Sequence, residues 1–386
     1  MRFLRWGCDV HATVAGAGES HGMKCELTEG YLGNVAPVQC NIKPTFCRIR
    51  VSDANLWLAE MSELSSEEKS HLVFRGQGDS KWPITSSFER AVFPESKAVS
   101  TNLRFKRFAI SPFDDVIATF EQKLVAEEST ILETFIRKIK AIAPQDVRPK
   151  TQLDWLALMQ HHGIPTRLID FTRSPQTALF FAMHENLDAD YSVWAVNSEK
   201  CARVTSHSVE SLADHRYTSK SNLEIAEDIL VRQNETLGAT WRKFSSMLRI
   251  EPQSPNPRMV AQEGLFMMPT SLAFPVEATF YNDVAEVSLA QMLTDRNGEY
   301  VSKPIAWEVV EERNARLDDF RAIQFIFDKT SRGAVQDLLA HNGIDADKLF
   351  PKAPIDREVQ SIKAELENRL YKSRIAEELA DVVWWI

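Results

Sequence analysis

Leu153 to Met183 reads LDWLALMQHHGIPTRLIDFTRSPQTALFFAM, the stretch in which turn-makers, polar groups and apolar faces lie closest together. Leu153, Leu156, Ala157 and Gln160 recur at helical spacing, so Leu153 to His162 is expected to be an amphipathic helix ending at Gly163, which can take the left-handed cap conformation. Gly163 and Pro165 then impose a turn. Arg167 to Phe171 suits a short strand leading to Asp170 and Thr172, and Ser174-Pro175 supplies an N-cap and a first helical position. A second helix is expected from Pro175 to about Leu187, with Ala178, Leu179, Phe181 and Ala182 on its buried face. The order is helix, turn, strand, turn, helix.

That order places Gln160, His161, His162, Thr166, Arg167, Asp170 and Thr172 on or beside two connections flanked by apolar helices, where their side chains can converge on a site. A purely architectural alternative stays open. Arg167 and Asp170, three residues apart, could form one internal ion pair, and the two histidines could simply close a helix at its negative end. Buried polar groups need partners whatever they do.

Upstream, His71 to Asp79 (HLVFRGQGD) reads as a strand ending in a glycine-rich turn. Arg75 on that strand offers a permanently charged, rigid fork for a carboxylate or a phosphate. Gly76 lets another backbone or a ligand come close. Asp53 is an N-cap for a helix over Ala54 to Glu63, and Trp82 to Arg90 is expected to give a second short strand with Ser86 and Ser87 on a polar rim. Glu121 to Ile142 carries Leu124, Ile131, Leu132, Phe135, Ile136 and Ile139 at helical spacing and ends at Pro144, with Glu127 and Glu128 expected on a solvated face. Leu27 to Val51 suggests a ragged strand or two, and Phe105 to Phe108 (FKRF) an ordinary amphipathic edge.

Downstream, Tyr191 to Val196 (YSVWAV) is an interior strand by its near-continuous apolar run. Lys200 to Ser246 reads as a polar, partly helical insertion with Leu223, Ile225, Ile229 and Leu230 as its apolar positions. Arg258 to Phe266 is expected to extend as a strand, and Phe280 to Leu293, Ile305 to Val310 and Ala322 to Phe327 to supply more. Ser331 to Asn342 is a helix closed by Gly343, and Asp356 to Ile386 a long helix with a seam of Val359, Ile362, Leu366 and Leu370. That helix should dock on the body or, as a homo-oligomer contact, on a second subunit. The expected fold is α+β, a mixed and mostly antiparallel sheet core with flanking helices and a long C-terminal helix. Its divisions are an N-terminal extension over 1–50, a main domain over 51–351 with a helical insertion around 200–250, and the C-terminal helix over 352–386. Met23 is an alternative start, because 1–22 shows no periodicity.

The 386 residues are 44% apolar and 26% charged, ordinary globular proportions, with a net charge of -9. That balance argues against sequence-independent binding to duplex nucleic acid, which needs a basic surface. Five cysteines without CxxC spacing suggest neither a disulfide framework nor a zinc site, so a reducing cytoplasm and no metal are expected. No apolar run reaches the roughly 18 residues of a membrane span. P-loop, His-Glu-x-x-His and Gly-x-Ser-x-Gly patterns do not occur.

The segment QHHGIPTRLIDFTRSPQTALFFA resembles the signature of the FRG domain family, and Phe74-Arg75-Gly76-Gln77 upstream supplies its naming Phe/Tyr-Arg-Gly motif. Asn256-Pro257-Arg258 and Gln262-Glu263-Gly264-Leu265-Phe266 resemble a further family element, so the resemblance runs from roughly Val51 to Pro351. In outline, an arginine on a strand, a Thr/Ser element and a glutamine beside a glutamate also resemble ADP-ribosyltransferases. That resemblance implies NAD as substrate, with Arg75 holding the dinucleotide, Thr172 or Ser174 supporting the nicotinamide end, and Gln262 or Glu263 stabilising a developing oxocarbenium or orienting the acceptor. The candidate catalytic residues are therefore Arg75, His161, Asp170, Gln262 and Glu263. Arg75, Gly76, Gln77, Thr166, Arg167, Thr172 and Ser174 are the candidate ligand-binding residues. The acceptor would be a protein or a nucleic acid, and the setting a toxin or antiphage effector. Two other readings compete: a non-catalytic module binding a nucleotide-like or phosphorylated ligand, or a protein, and a nuclease-like effector using His161 or His162 as base.

Overall fold

Strand YSVWAVN, Tyr191–Asn197, is apolar on both faces and takes the interior of a sheet, as such a run must. The computed structural model describes residues 46–93, 114–143, 148–199, 220–231, 246–253, 255–273, 276–277, 279–280, 322–351 and 356–372. Expectations for 1–45, Phe105 to Phe108, 281–293, Ile305 to Val310 and 373–386 lie outside these residues.

Among the described residues, seven strands, β1 (Phe46–Val51), β2 (Leu72–Gln77), β3 (Ile169–Thr172), β4 (Tyr191–Asn197), β5 (Met247–Ile250), β6 (Gly264–Pro269) and β7 (Ala322–Phe327), form one sheet in the order β1-β7-β4-β2-β3-β6-β5. Only β1 and β7 run parallel; the other neighbours are antiparallel. The helices are α1 (Ala54–Glu63), α2 (Ser66–His71), α3 (Ser87–Val92), α4 (Asp114–Ile142), α5 (Gln152–His161), α6 (Pro175–His184), α7 (Asn222–Val231), α8 (Pro257–Ala261), α9 (Arg332–His341), α10 (Ala346–Leu349) and α11 (Asp356–Lys372). The fold is thus α+β on a mixed, mostly antiparallel sheet.

Strand parity sorts the core. Phe74, Val193, Ala195, Phe325 and Phe327 pack with α1, α6 and α9 over one half of the sheet, while Phe266, Met268, Leu248 and Ile250 pack with α3, α4, α5, α7 and α11 over the other. The register Phe74 with Ala195 and Thr172, and Asp170 with Phe266, puts both packs on the same face. Val73, Trp194, Phe171, Leu265 and Met267 form a third cluster on the opposite face.

The seam of α11 is buried within its own chain: Val359, Ile362, Leu366 and Leu370 join the α4–α5 core, and Lys138 reaches Glu365 at 2.6 Å. Within the region read as an insertion, α7 buries Ile225, Ala226, Ile229 and Leu230 in that core, and β5 forms the sheet edge beside β6. Gly76 belongs to the packing as well. A Cβ there would lie 2.0 Å from the Ala178 carbonyl oxygen and 2.6 Å from the Ala182 nitrogen, so glycine is what lets α6 lie directly on β2. The approaching backbone is a helix, not a ligand.

Three segments differ from expectation. Trp82 to Arg90 holds no strand; Ser86 accepts from the Glu89 amide and starts α3, because Ser-Ser-Phe-Glu is an N-cap pattern that outweighs alternation. Arg258 to Ala261 is helical, capped by Asn256 behind Pro257, and the strand begins only at Gly264. Thr279 and Phe280 are helical where a strand was expected to begin.

Candidate functional site

β2 and β3 pair at Phe74 with Thr172 and nowhere else. Beyond that point the strands part, and the Arg75 guanidinium bridges them by donating from Nη1 to the Asp170 carbonyl oxygen at 2.7 Å. A cavity of about 740 Å³ occupies this split, between the two helical packs. That size falls within the roughly 300–1,000 Å³ of small-molecule sites.

The cavity brings together Arg75, Gly76, Gln77, His161, Asp170, Thr172 and Gln262 from three distant segments. Thr166, Arg167, Ser174 and Glu263 are not among its lining residues. Arg167 is the main correction. Its guanidinium, 1% exposed, grips Glu128 of α4, itself 1% exposed, from Nε at 2.7 and 3.0 Å and again from Nη2, and its amide bonds the same carboxylate at 3.2 Å. The Arg167–Asp170 pair therefore does not form, and Glu128 is buried where a solvated face was expected. Ser174 caps α6, and Glu263 is exposed with φ of 48°, turned out of the site by the short left-handed link between α8 and β6.

Several lining residues are already committed to the scaffold. The Gln77 amide donates to the carbonyls of Trp82 and Pro83 at 3.2 Å each and accepts from Trp194 at 2.6 Å, so it holds the 79–86 loop. Thr172 Oγ1 donates to the Gln262 carbonyl at 2.6 Å, and the Gln262 amide donates to the Leu349 carbonyl at 2.9 Å. Arg258 donates to the His161 carbonyl at 3.0 Å and lies 4.5 Å over the Phe350 ring. The Asn256-to-Phe266 element thus clasps the end of α5 to the segment after α10.

Four charged side chains remain open to the cavity: Arg75, Asp170, Arg90 of α3 and Glu185 after α6. Arg90 holds Thr85 through its carbonyl and hydroxyl at 3.0 and 3.1 Å. Among the described residues none of the four forms an ion pair, and the buried Nε of Arg75 has no acceptor. Burial holds Arg75 below its ordinary value; Asp170 and Glu185 oppose that shift, while the neighbouring Arg90 adds to it. Burial lowers Arg90 in the same way, again opposed by Asp170 and Glu185. Both guanidiniums stay charged, and each would gain from an anion. Trp82, 38% exposed, stands with Pro83 and Thr85 on the lining, and Phe74, Phe171, Phe181 and Phe266 supply apolar wall. Sequence reasoning missed Arg90, Trp82 and Glu185 as lining residues. The Ser86-to-Glu89 cap could have found Arg90, because a helix there turns it toward Asp170.

Among the described residues no cluster of His, Cys, Asp and Glu is placed to share a metal ion, and no helix is long and apolar enough to cross a membrane. A family model described as FRG domain matches residues 70–191. The match takes in the Phe74-Arg75-Gly76 triplet and the stretch from Gln160 to Ala182, and leaves the Asn256-to-Phe266 element outside it. No curated protein and no solved structure matches the chain.

Proposed function

Because the chain carries an FRG domain across residues 70–191, with the arginine of its naming triplet on a cavity wall, we propose that the cavity is the active site of an enzyme acting on a nucleotide-type substrate. The most concrete form is ADP-ribosyl transfer from NAD. The observation that carries this reading is the open charge arrangement: Arg75 and Arg90, neither in an ion pair among the described residues, beside the carboxylates of Asp170 and Glu185 in a cavity with aromatic surface.

Each part has a chemical use. Arg75 and Arg90 bind the pyrophosphate, for which a guanidinium fork is well shaped. Trp82 gives a face on which a base can stack. Asp170, rather than the outward-facing Glu263, stabilises the sugar cation. The bond from ribose C1′ to the nicotinamide nitrogen breaks with its electron pair moving to nicotinamide, which leaves neutral. C1′ then bonds the oxygen of an acceptor or of water, and the proton released from that oxygen passes to Asp170. Fixed charge aimed at a developing charge is commonly the largest contribution to such a rate.

The test is nicotinamide release from NAD by the purified chain with cell extract as acceptor source. Release that falls about a hundredfold in Asp170→Asn supports the proposal. No release, with NAD still raising the melting temperature by mass action, would replace it with a non-catalytic nucleotide-binding module.

A further inference from the structure

We propose that Gln160 is the positioning residue for Asp170, turning one carboxylate oxygen into the fold and presenting the other to the ligand. The inference rests on Asp170 being the functional carboxylate of the cavity, and its first test does not require the reaction.

The hydrogen bonds leave the Gln160 amide one orientation. Its Oε1 accepts from the Thr166 hydroxyl at 2.6 Å and lies 3.3 Å from the Ser87 hydroxyl, while its Nε2 donates to Asp170 Oδ2 at 2.6 Å. Thr166 is itself fixed: its Oγ1 accepts from the Leu168 amide at 3.2 Å, and its own amide donates to Ser87 at 3.0 Å. Ser87 also sits 3.2 Å from the Thr166 carbonyl. A flipped amide would set Oε1 against an ionised Oδ2, two acceptors with no proton between them. The network therefore occupies Oδ2 with a donor and leaves Oδ1 outside it.

Three elements meet in this device: α5 carries Gln160, the turn before β3 carries Thr166, and the start of α3 carries Ser87. Thr166 is thus one step removed from the cavity, and the sequence reading that gave it a ligand contact missed this. The charged and titratable groups around Asp170 are Arg75 on β2, Arg90 on α3, His161 at the end of α5, Glu185 beyond α6 and Arg258 on α8. None of these donates to Oδ2; that bond belongs to Gln160.

Two experiments on the full chain test the proposal. In proton–nitrogen NMR, with Gln160→Met supplying the assignment, the Gln160 side-chain amide should shift as Asp170 ionises, and that titration should vanish in Asp170→Asn. A pH-independent amide in the wild type overturns the proposal. Calorimetric titration with ADP-ribose gives the second reading. Gln160→Glu sets a second carboxylate beside Asp170, so the pair shares a proton and the pH at which ADP-ribose affinity changes should move up by about one unit or more. A scaffold role alone would lower the melting temperature and leave the pH profile in place, which also overturns the proposal. If the wild type binds no ADP-ribose at any pH, the nucleotide reading falls while the amide titration still decides the role of Gln160.

Discussion

Replacing Glu128 by glutamine should cost a large fraction of the chain's stability without touching the cavity. Arg167 and Glu128 are each 1% exposed, and the carboxylate takes two bonds from Nε, one from Nη2 and one from the Arg167 amide. Glu128→Gln keeps the shape and leaves a charged, buried guanidinium without its hydrogen-bonded carboxylate, with only the more distant Glu121 to offset it. Breaking one side of such a pair costs about 3–5 kcal/mol. Against a typical stability of about 5–15 kcal/mol, that is a large fraction of the whole. Urea unfolding followed by circular dichroism should show the midpoint falling by about 1 M or more with the slope unchanged. Arg167→Met combined with Glu128→Leu should recover most of the loss, because removing both charges is often close to neutral. A change below about 1 kcal/mol in Glu128→Gln, or normal stability with lost ADP-ribose binding in Arg167→Met, would refute the assignment of Arg167 to architecture.

Gly76→Ala should destabilise by about 1–3 kcal/mol or more, since its methyl would meet the Ala178 carbonyl at 2.0 Å; thermal melts measure this, and a wild-type melting temperature would contradict the packing described. Glu121 gives a pH effect. Burial pushes its carboxyl above the ordinary 4.5, an effect partly offset by hydrogen bonds from Ser271 and the Leu272 amide. The folded chain then holds this proton more tightly than the unfolded chain, so the contribution of Glu121 is fully present below 4.5 and is lost as pH rises through the raised value. Glu121→Gln should accordingly be more stable than the wild type at pH 8 and lose that advantage by pH 4, as melting temperatures across that range would read. An advantage that grows toward acid would reverse the sign and refute the reasoning.

The central unit was legible because strong punctuation frames it: Gly163 at φ 70°, the Ser174 cap and Pro175 each have one local use. β4 and β7 were legible as mostly apolar runs, each interrupted by a polar residue, Ser192 in one and Gln324 in the other. Arg75 and Arg167 could not be told apart, because what separates them is a partner: Glu128 lies 39 residues before Arg167, and no local spacing announces it. The five-residue α8 escaped for another reason. So short a helix buries little, with Met259 its one buried residue, and its apolar pattern cannot be told from a strand's. Gln77 and Thr172 read as ligand contacts because they stand in the motifs that carry the resemblance; their bonds to Trp82, Pro83 and Gln262 form only when the chain has folded.

On the proposed reading, the Arg75 fork in the split between β2 and β3 holds the anionic part of a nucleotide. Calorimetric titration of ADP-ribose into the wild type and Arg75→Lys measures it most directly. Lysine keeps the charge but cannot both bridge to the Asp170 carbonyl and present a fork, so affinity should fall about tenfold or more while the melting temperature of the free chain changes little. Equal affinities in the two proteins would contradict the claim.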